Sequence, residues 1–346
     1  MEKILFVAQT EADGSLAKAS LEALSAAKTL AADLKVQFAV GLTGAQVQKA
    51  ADSLAGCGAE AFYGVAGAEF SQARYVTDAK ALEGLARAYG ATIILGAATL
   101  RMGRVLPGVA ARLGGYSDTG VTGLSAASGQ LVLTRWYYRQ RMFAELTRQE
   151  RPWAITVASG CFAPCPGAPG QAQVQAVSVD LPTSLRTTVS KIISPPAEKQ
   201  TIRPDAPLLF VAGAGWTKKQ ADGQIHTQEA AELILGFVNK AQASLGSSKS
   251  LVDLSGEGQQ VLPFLTHMHQ VGQTGSTPRH AKGLATCCHG EEPHAVGWRF
   301  IAERRAISLD PNCGWTRGKA DVVYVADAFQ VMARVNALVE ARNSRG

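Results

Sequence analysis

The chain has 346 residues, of which 47% are apolar, and its 34 basic and 28 acidic residues give a formal net charge of +6. No apolar run approaches the ~20 residues that cross a bilayer, and the amino terminus lacks the features of a signal peptide, so we expect a soluble cytoplasmic protein without membrane insertion. The basic residues are scattered. This pattern gives no support to a nucleic-acid partner, and it fits a surface for an acidic protein or an anionic cofactor equally well.

The first half of the chain alternates short apolar runs with amphipathic stretches. The spacing predicts strands at residues 4–9, 36–41, 61–65 and 92–98, with helices at 15–34, 44–56 and 78–89. Strands that are apolar along their whole length and separated by helices indicate a parallel sheet buried on both faces. Residues 129–160 contain short alternating runs and no helical pattern, so we expect an antiparallel extension at the edge of that sheet.

A segment rich in Pro, Gly, Ser and Thr separates this half from a second α/β pattern. We therefore divide the chain into a first domain (1–193), a linker (194–206) and a second, Rossmann-like domain (207–346). The second domain is predicted to contain a strand at 207–216 that ends in a glycine turn, a helix at 227–246, strand candidates KSLVDL, RAISLD and VVYVAD, and a terminal helix at 327–343. The predicted fold class is two-domain α/β.

The hexamer QVGQTG (270–275) lies in the second domain. Glycine lets the backbone approach a ligand closely, and Gln273 and Thr274 add hydrogen-bonding side chains. Taken alone, the hexamer is more typical of a surface turn, because glycine-rich turns are common. In sheets of this kind, ligands bind at the carboxyl ends of the strands, which makes the hexamer a candidate binding turn.

Cysteine and histidine spacing does not indicate a metal site. The six cysteines are expected to stay reduced in the cytosol, and Cys161 and Cys165 form neither a CxxC pair nor half of a zinc finger. His267 and His269 share a face only in a strand, and no carboxylate or thiolate is fixed beside them by spacing. The sequence also lacks the GxxxxGK[ST] phosphate loop that a nucleotide hydrolase would need.

The chain resembles the alpha subunit of an electron transfer flavoprotein, as a divergent member. In the first half the resemblance is carried by the order of elements, by LPGVAARLGGYSDTG and by LTRWYYRQRMFAEL. In the second half it is carried by SKSLVD, QVGQTG, the spaced His294, SLDP and ADVVYVAD. The resemblance implies a heterodimer whose alpha subunit binds FAD in the second domain, while the beta subunit carries AMP or a second FAD. It implies an electron carrier that links a flavin-dependent dehydrogenase to an acceptor such as a quinone oxidoreductase, with no catalytic residues of its own.

The resemblance also implies which residues hold the cofactor. QVGQTG would lie against the flavin ring and ribityl chain, and His294 near the flavin C2 carbonyl, where an imidazole would stabilise the reduced ring. Asp327 would face the adenosine end, although a capping aspartate is an equal alternative. The full set of expected cofactor-binding residues is Ser248, Lys249, Val271, Gly272, Gln273, Thr274, His289, Gly290, His294, Ser308 and Asp327.

Several residues depart from the family pattern. Lys249 replaces an arginine and so loses its planar fork, Ser308 replaces an asparagine, and AGAGW lacks the arginine that follows the first strand. In CCHGEEPH, His289 replaces a serine, and two glutamates add negative charge where a pyrophosphate would bind a helix start.

Three interpretations of these departures stay open. FAD binds in an adjusted pose, with charge supplied by Lys218, Lys219, Arg279 or Lys282; the protein serves one dehydrogenase with an altered flavin potential; or it is a structural subunit that has lost flavin binding. We favour the first two together. The arginine-rich strand 136–141 is either a contact surface for the beta subunit or a redox partner, or a solvated edge strand whose charges discourage aggregation.

Overall fold

The computed structural model describes residues 2–126, 129–137, 142–193, 202–203, 206–253, 260–272, 280–286, 301–311 and 320–344. The chain divides into two compact units, Met1–Ile193 and Ser194–Gly346, each with its own hydrophobic core and its own sheet. Most of the linker predicted at 194–206 lies outside the described residues.

The first unit is built on a nine-stranded sheet in the order β7-β6-β5-β8-β4-β1-β2-β3-β9. The strands are β1 (Ile4–Gln9), β2 (Phe38–Gly44), β3 (Ala61–Ala66), β4 (Ile93–Ala97), β5 (Tyr116–Ser125), β6 (Val132–Tyr137), β7 (Met142–Leu146), β8 (Trp153–Val157) and β9 (Val174–Ala176). In the spatial order of the sheet, every neighbouring pair from β5 across to β9 at the far edge is parallel. The β5–β6 and β6–β7 pairs at the other edge are antiparallel.

Helices cover both faces of this sheet: α1 (Lys18–Leu34), α2 (Gln48–Ser53), α3 (Tyr75–Tyr89) and α4 (Leu100–Arg112). Successive strand residues face opposite sides, so Ile4 and Phe6 pack with Leu24 of α1, whereas Leu5 and Val7 join the cluster under α3 and α4. This two-sided burial explains the uninterrupted apolar runs and confirms the predicted parallel sheet.

Two features of the first unit differ from the sequence prediction. The antiparallel extension is confirmed for β6 and β7, but placing Trp153–Val157 in it was wrong, because β8 is a fully buried parallel strand between β4 and β5. No helix was predicted where α4 lies, since Pro107 lowers helix propensity. Burial of its apolar face and a cap, in which Thr99 Oγ1 accepts from Met102 N at 3.1 Å, outweigh that cost.

The second unit has a five-stranded sheet in the order β11-β10-β12-β13-β14, in which every neighbouring pair is parallel. Its strands are β10 (Leu208–Ala212), β11 (Ser244–Ser247), β12 (His280–Thr286), β13 (Ile301–Ser308) and β14 (Val322–Val325). Its helices are α5 (Thr227–Lys240), α6 (Lys249–Asp253) and α7 (Ala328–Asn343). The architecture confirms the α/β class of the prediction.

One strand candidate of the second unit was wrong. KSLVDL was predicted as a strand, yet Lys249–Asp253 form the short helix α6. The strand lies just before it at Ser244–Ser247, so extending the preceding helix to residue 246 was also wrong, since α5 ends at Lys240. The residues SLGSS are less apolar than the run that follows, so pattern alone favoured the wrong segment. Among the described residues, no helix is both long and apolar enough to span a bilayer.

A buried carboxylate ties the β6–β7 hairpin to the first core. Asp118 on β5 is 4% exposed and accepts hydrogen bonds from Trp153 Nε1 at 3.0 Å, Arg148 Nε at 2.7 Å and Arg135 Nη1 at 3.4 Å. The hydrogen bond to Asp118 raises the pKa of Arg148 above its usual range. One carboxylate therefore pairs with two arginines, one on β6 and one just beyond β7.

We expect Asp118→Asn to destabilise the first unit by about 3 kcal/mol, because breaking a buried ion pair leaves charge uncompensated. This is the low end of the usual range, since the Arg135 and Arg148 side chains are 23% and 30% exposed and partly screened. Urea unfolding followed by circular dichroism measures the change. As a control, Asp13→Asn removes a surface charge paired with Lys49 and should leave the midpoint unchanged. Equal midpoints for the two variants would contradict the role of Asp118.

Candidate functional site

The candidate site is the carboxyl edge of the second sheet. Because all five strands are parallel, the segments that follow them emerge at this one edge. Of the predicted residues that the structure describes, Ser248 follows β11, Ser308 ends β13 and Asp327 follows β14. The fold therefore brings to one edge residues that are distant in sequence.

QVGQTG contacts the end of β11, immediately before SKSLVD. Val271 N donates to Ser247 O at 3.0 Å, and Ser247 and Gln270 form an isolated parallel bridge. Ser248 N in turn donates to Ala212 O at the end of β10, at 2.8 Å. The first half of QVGQTG is thus held beside the start of SKSLVD by backbone hydrogen bonds.

The backbone at this junction has the properties of a binding turn. Gly272 has φ = 83°, a left-handed conformation that side chains with a Cβ rarely adopt, so glycine is required there for conformational reasons. The Ser247 hydroxyl is fully buried and has no hydrogen-bond partner in the part of the chain that the structure describes. A buried polar group without a partner is costly, which makes this hydroxyl a candidate ligand contact.

Charged side chains flank the junction. Lys249 Nζ lies 3.6 Å from Asp253 Oδ2, and His267 Nε2 lies 3.5 Å from Asp253 Oδ1. The Lys249 and His267 side chains are both 56% exposed, so these contacts are weak surface pairs. His267 and His269 belong to a short 3₁₀ turn, in which His269 is buried and its Nδ1 accepts from Thr266 N at 3.2 Å.

The far side of the edge is closely packed. Asp327 caps α7, since its Oδ1 accepts from Phe329 N at 2.8 Å and from Gln330 N at 3.3 Å, while Ser308 Oγ donates to Asp310 O at 3.2 Å. The crevice between these two residues has a volume of about 10 Å³, enough for about one water molecule. The capping alternative for Asp327 thus describes its observed contacts, and its assignment to an adenosine stays a prediction.

Sequence reasoning missed Trp216, a fully buried large side chain at this edge. It sits in a 3₁₀ turn (Ala214–Thr217) after β10, is 0% exposed, and its Nε1 donates to Thr286 Oγ1 at the end of β12, at 2.8 Å. Thr286 Oγ1 donates to Val211 O at 3.2 Å, and Gly213 N donates to Thr286 O at 2.9 Å. The indole also packs on Phe329 with ring centroids 4.6 Å apart. An indole within a glycine-rich segment was the available signal.

The candidate cations for a phosphate divide between the two edges. Lys218 and Lys219 are exposed and follow the 3₁₀ turn at the carboxyl edge. Lys282 pairs in register with Leu208 at the start of β10, so it lies near the opposite edge. Arg279 and five predicted cofactor-binding residues lie outside the described residues, namely Gln273, Thr274, His289, Gly290 and His294. Within the described ranges, no cluster of His, Cys, Asp or Glu is arranged to hold a metal ion.

Comparison with known proteins agrees with the resemblance. Residues 4–182, more than half of the chain, match the family model described as the electron transfer flavoprotein domain. The chain belongs to the electron transfer flavoprotein family.

Two similar proteins are named electron transfer flavoprotein subunit alpha. The one from Clostridium acetobutylicum is 27% identical over 352 residues, covering 99% of this chain and 98% of its own, and the one from Thermoanaerobacterium thermosaccharolyticum is 26% identical over 336 residues, covering 95% and 96%. Protein FixB from Clostridium saccharobutylicum is 28% identical over 319 residues, covering 89% and 88%. The chain is a divergent, alpha-type member of the family.

The flavin implied by the family fits one side of the edge better than the other. The β11 side offers the Ser247 hydroxyl, which has no partner among the described residues, the left-handed Gly272 and the nearby charge of Lys249. The seam between β10 and β12 is filled by Trp216, and the crevice between Ser308 and Asp327 is too small for a nucleotide ring. The described residues therefore fit a flavin bound beside β11 better than one bound at the β10–β12 seam or at the β13–β14 crevice.

We expect Asp327→Ala to lower the free energy of unfolding of the second unit by about 1 kcal/mol, because it removes the acceptor for two backbone N–H groups of α7. Asp327→Asn should retain most of the stability, since asparagine caps helices about equally well. Thermal unfolding monitored at 222 nm measures both. Equal losses in the two variants would show that the charge rather than the cap stabilises this helix.

Proposed function

We propose that this chain is the FAD-binding alpha subunit of a heterodimeric electron transfer flavoprotein. In this role it takes electrons from a flavin-dependent dehydrogenase and passes them to an acceptor such as a quinone oxidoreductase. The observation that carries the proposal is the junction at β11, where backbone contacts join QVGQTG to Ser247, the residue immediately before SKSLVD. Two segments that resemble flavin-contacting motifs of the family are thereby adjacent at the edge where α/β sheets bind ligands.

The chain's own residues would bind and orient the cofactor. Backbone at Val271 and Gly272 would lie against the flavin, with Gln273 and Thr274 hydrogen-bonding its polar atoms, and Ser248 and Lys249 would contact it from the α6 side. His289, Gly290 and His294 complete the proposed set, with Ser308 and Asp327 at the far end of the edge. The bound flavin supplies the electron-carrying chemistry, so the chain needs no catalytic residue of its own.

A beta-type partner completes the proposed assembly, carrying AMP or a second FAD, and we expect the complex to work in the cytoplasm. The β6–β7 hairpin is a candidate contact surface for it. Trp136 stacks on Phe143 with ring centroids 3.6 Å apart, Phe143 and Met142 are 56% and 51% exposed, and the Arg135 guanidinium lies over the Tyr137 ring at 4.9 Å. Exposed aromatic and arginine side chains are typical of protein interfaces.

The alternative function is an electron transfer flavoprotein-like structural subunit that does not use flavin. The close packing around Trp216 is the observation that favours it. The visible absorption spectrum of the full chain, purified gently with its partner subunit and supplied with FAD, decides between the two. Flavin bands at about one equivalent per heterodimer support the proposal, whereas a colourless complex after incubation with FAD contradicts it.

A variant of His294 tests the proposed contact with the flavin ring. We expect His294→Ala to lower the reduction potential or to weaken FAD binding about tenfold, because an imidazole near the ring stabilises its reduced, anionic form. Spectroelectrochemistry and fluorescence titration measure the two quantities. The control is His226→Ala, since His226 pairs with Asp222 near the start of α5 and should not affect either quantity. An unchanged potential and affinity in His294→Ala would remove this residue from the site.

A further inference from the structure

The strand order of the second unit reverses at β10, and in doubly wound sheets the ligand crevice lies at such a reversal. The chain runs from β10 to β11 on one side and then returns to β12 on the other side of β10. At such a reversal the segments leaving the two central strands turn in opposite directions, and a crevice forms outside their carboxyl ends. In this unit the crevice belongs to the seam between β10 and β12.

Trp216 occupies that seam. Three hydrogen bonds join the last residue of β12 to β10 and the turn that follows it: Trp216 Nε1 to Thr286 Oγ1, Thr286 Oγ1 to Val211 O, and Gly213 N to Thr286 O. The indole has no exposed surface, and Phe329 at the start of α7 packs against it. A ligand can enter the seam only if this side chain leaves it.

The neighbouring crevice offers no substitute. Between β13 and β14 there is room for about one water molecule, with Asp327 engaged by two backbone N–H groups and Ser308 by the Asp310 carbonyl. An adenine ring with its ribose is many times larger than a water molecule. Among the described residues, neither the β10–β12 seam nor the crevice between β13 and β14 has room for an adenosine diphosphate group.

Unlike these two crevices, the β11 side offers polar groups for a ligand to contact. Its buried Ser247 hydroxyl has no partner among the described residues, and the left-handed Gly272 presents backbone without a Cβ. Both features suit the hydroxylated ribityl chain and polar ring edge of a flavin, which offer hydrogen-bond donors and acceptors. The two ends of a dinucleotide flavin would thus meet unequal surfaces.

We infer that Trp216 is a specificity-determining residue that excludes the adenosine diphosphate half of the cofactor from the β10–β12 seam. The inference rests on the proposed function, namely that this unit binds a flavin. The chain then recognises the isoalloxazine and ribityl end, and the adenosine half of FAD lies outside the seam and contributes little affinity. FMN, which has the same ring and ribityl end, binds nearly as well as FAD.

The test is a fluorescence titration of the full chain with FAD and with FMN, each repeated in the presence of ADP. For the wild-type chain we expect dissociation constants for FAD and FMN within about threefold of each other, and no displacement of either by ADP. For Trp216→Ala, which empties the seam, we expect FAD to bind about tenfold more tightly, FMN to be unchanged, and ADP to compete with FAD.

Trp153→Ala is the matched control, since it removes an equally buried indole from the core of the first unit and should leave both affinities unchanged. Loss of a fully buried tryptophan costs about 3–5 kcal/mol, so Trp216→Ala is checked for folding by circular dichroism. Should it not fold, the wild-type titration decides the matter by itself.

Two contrary results have different meanings. A wild-type preference for FAD over FMN of about a hundredfold or more, with competition by ADP, overturns the inference and leaves the proposed function in place. Failure of both flavins to bind the wild-type chain overturns the proposed function and the inference together.

Discussion

The hydrogen bond from the Trp216 indole to Thr286 closes the carboxyl edge of the second sheet, and the rest of the candidate site is arranged around it. It joins the turn after β10 to the end of β12, and the same indole supports Phe329 at the start of α7. A parallel sheet places the ends of all its strands at this edge, so closing one seam decides which of the others can accept a ligand. On the β11 side, a left-handed glycine lies near a buried hydroxyl that has no partner in the part of the chain that the structure describes.

This arrangement gives the family's function a particular form in this chain. An electron carrier works when its redox group is held near a surface and its reduction potential is set by nearby charges. At β11, Ser247 and Ser248 are both buried and hydrogen-bonded through their main chains. The charges around them are exposed, and Asp253 lies within 4 Å of both Lys249 and His267. The backbone at β11 is thus buried, whereas the polar side chains around it are exposed to solvent and to partners.

Much of the fold could be predicted from sequence, because continuous apolar runs separated by amphipathic helices are typical of parallel sheets covered on both faces. The errors have physical causes. Helix α4 was missed because its burial outweighs the cost of Pro107, β8 was misplaced because pairing order is not a local property, and KSLVDL was more apolar than the true strand beside it. The bridge between Ser247 and Gln270 brings close two segments that the sequence analysis had singled out as candidate cofactor contacts. The burial of Trp216 could not be predicted, because Thr286 lies 70 residues away and meets it only through strand order.

We propose that flavin binds beside β11 at the carboxyl edge of the second sheet. Hydrogen–deuterium exchange of the full chain, with and without FAD, tests it most directly, because the amides of Ser248 and Val271 form the junction. If flavin binds there, FAD slows exchange in peptides covering 245–253 and 262–272 and leaves exchange in the strands of the first unit unchanged. Bound flavin with no change in those peptides, or with protection confined to the first unit, would contradict it.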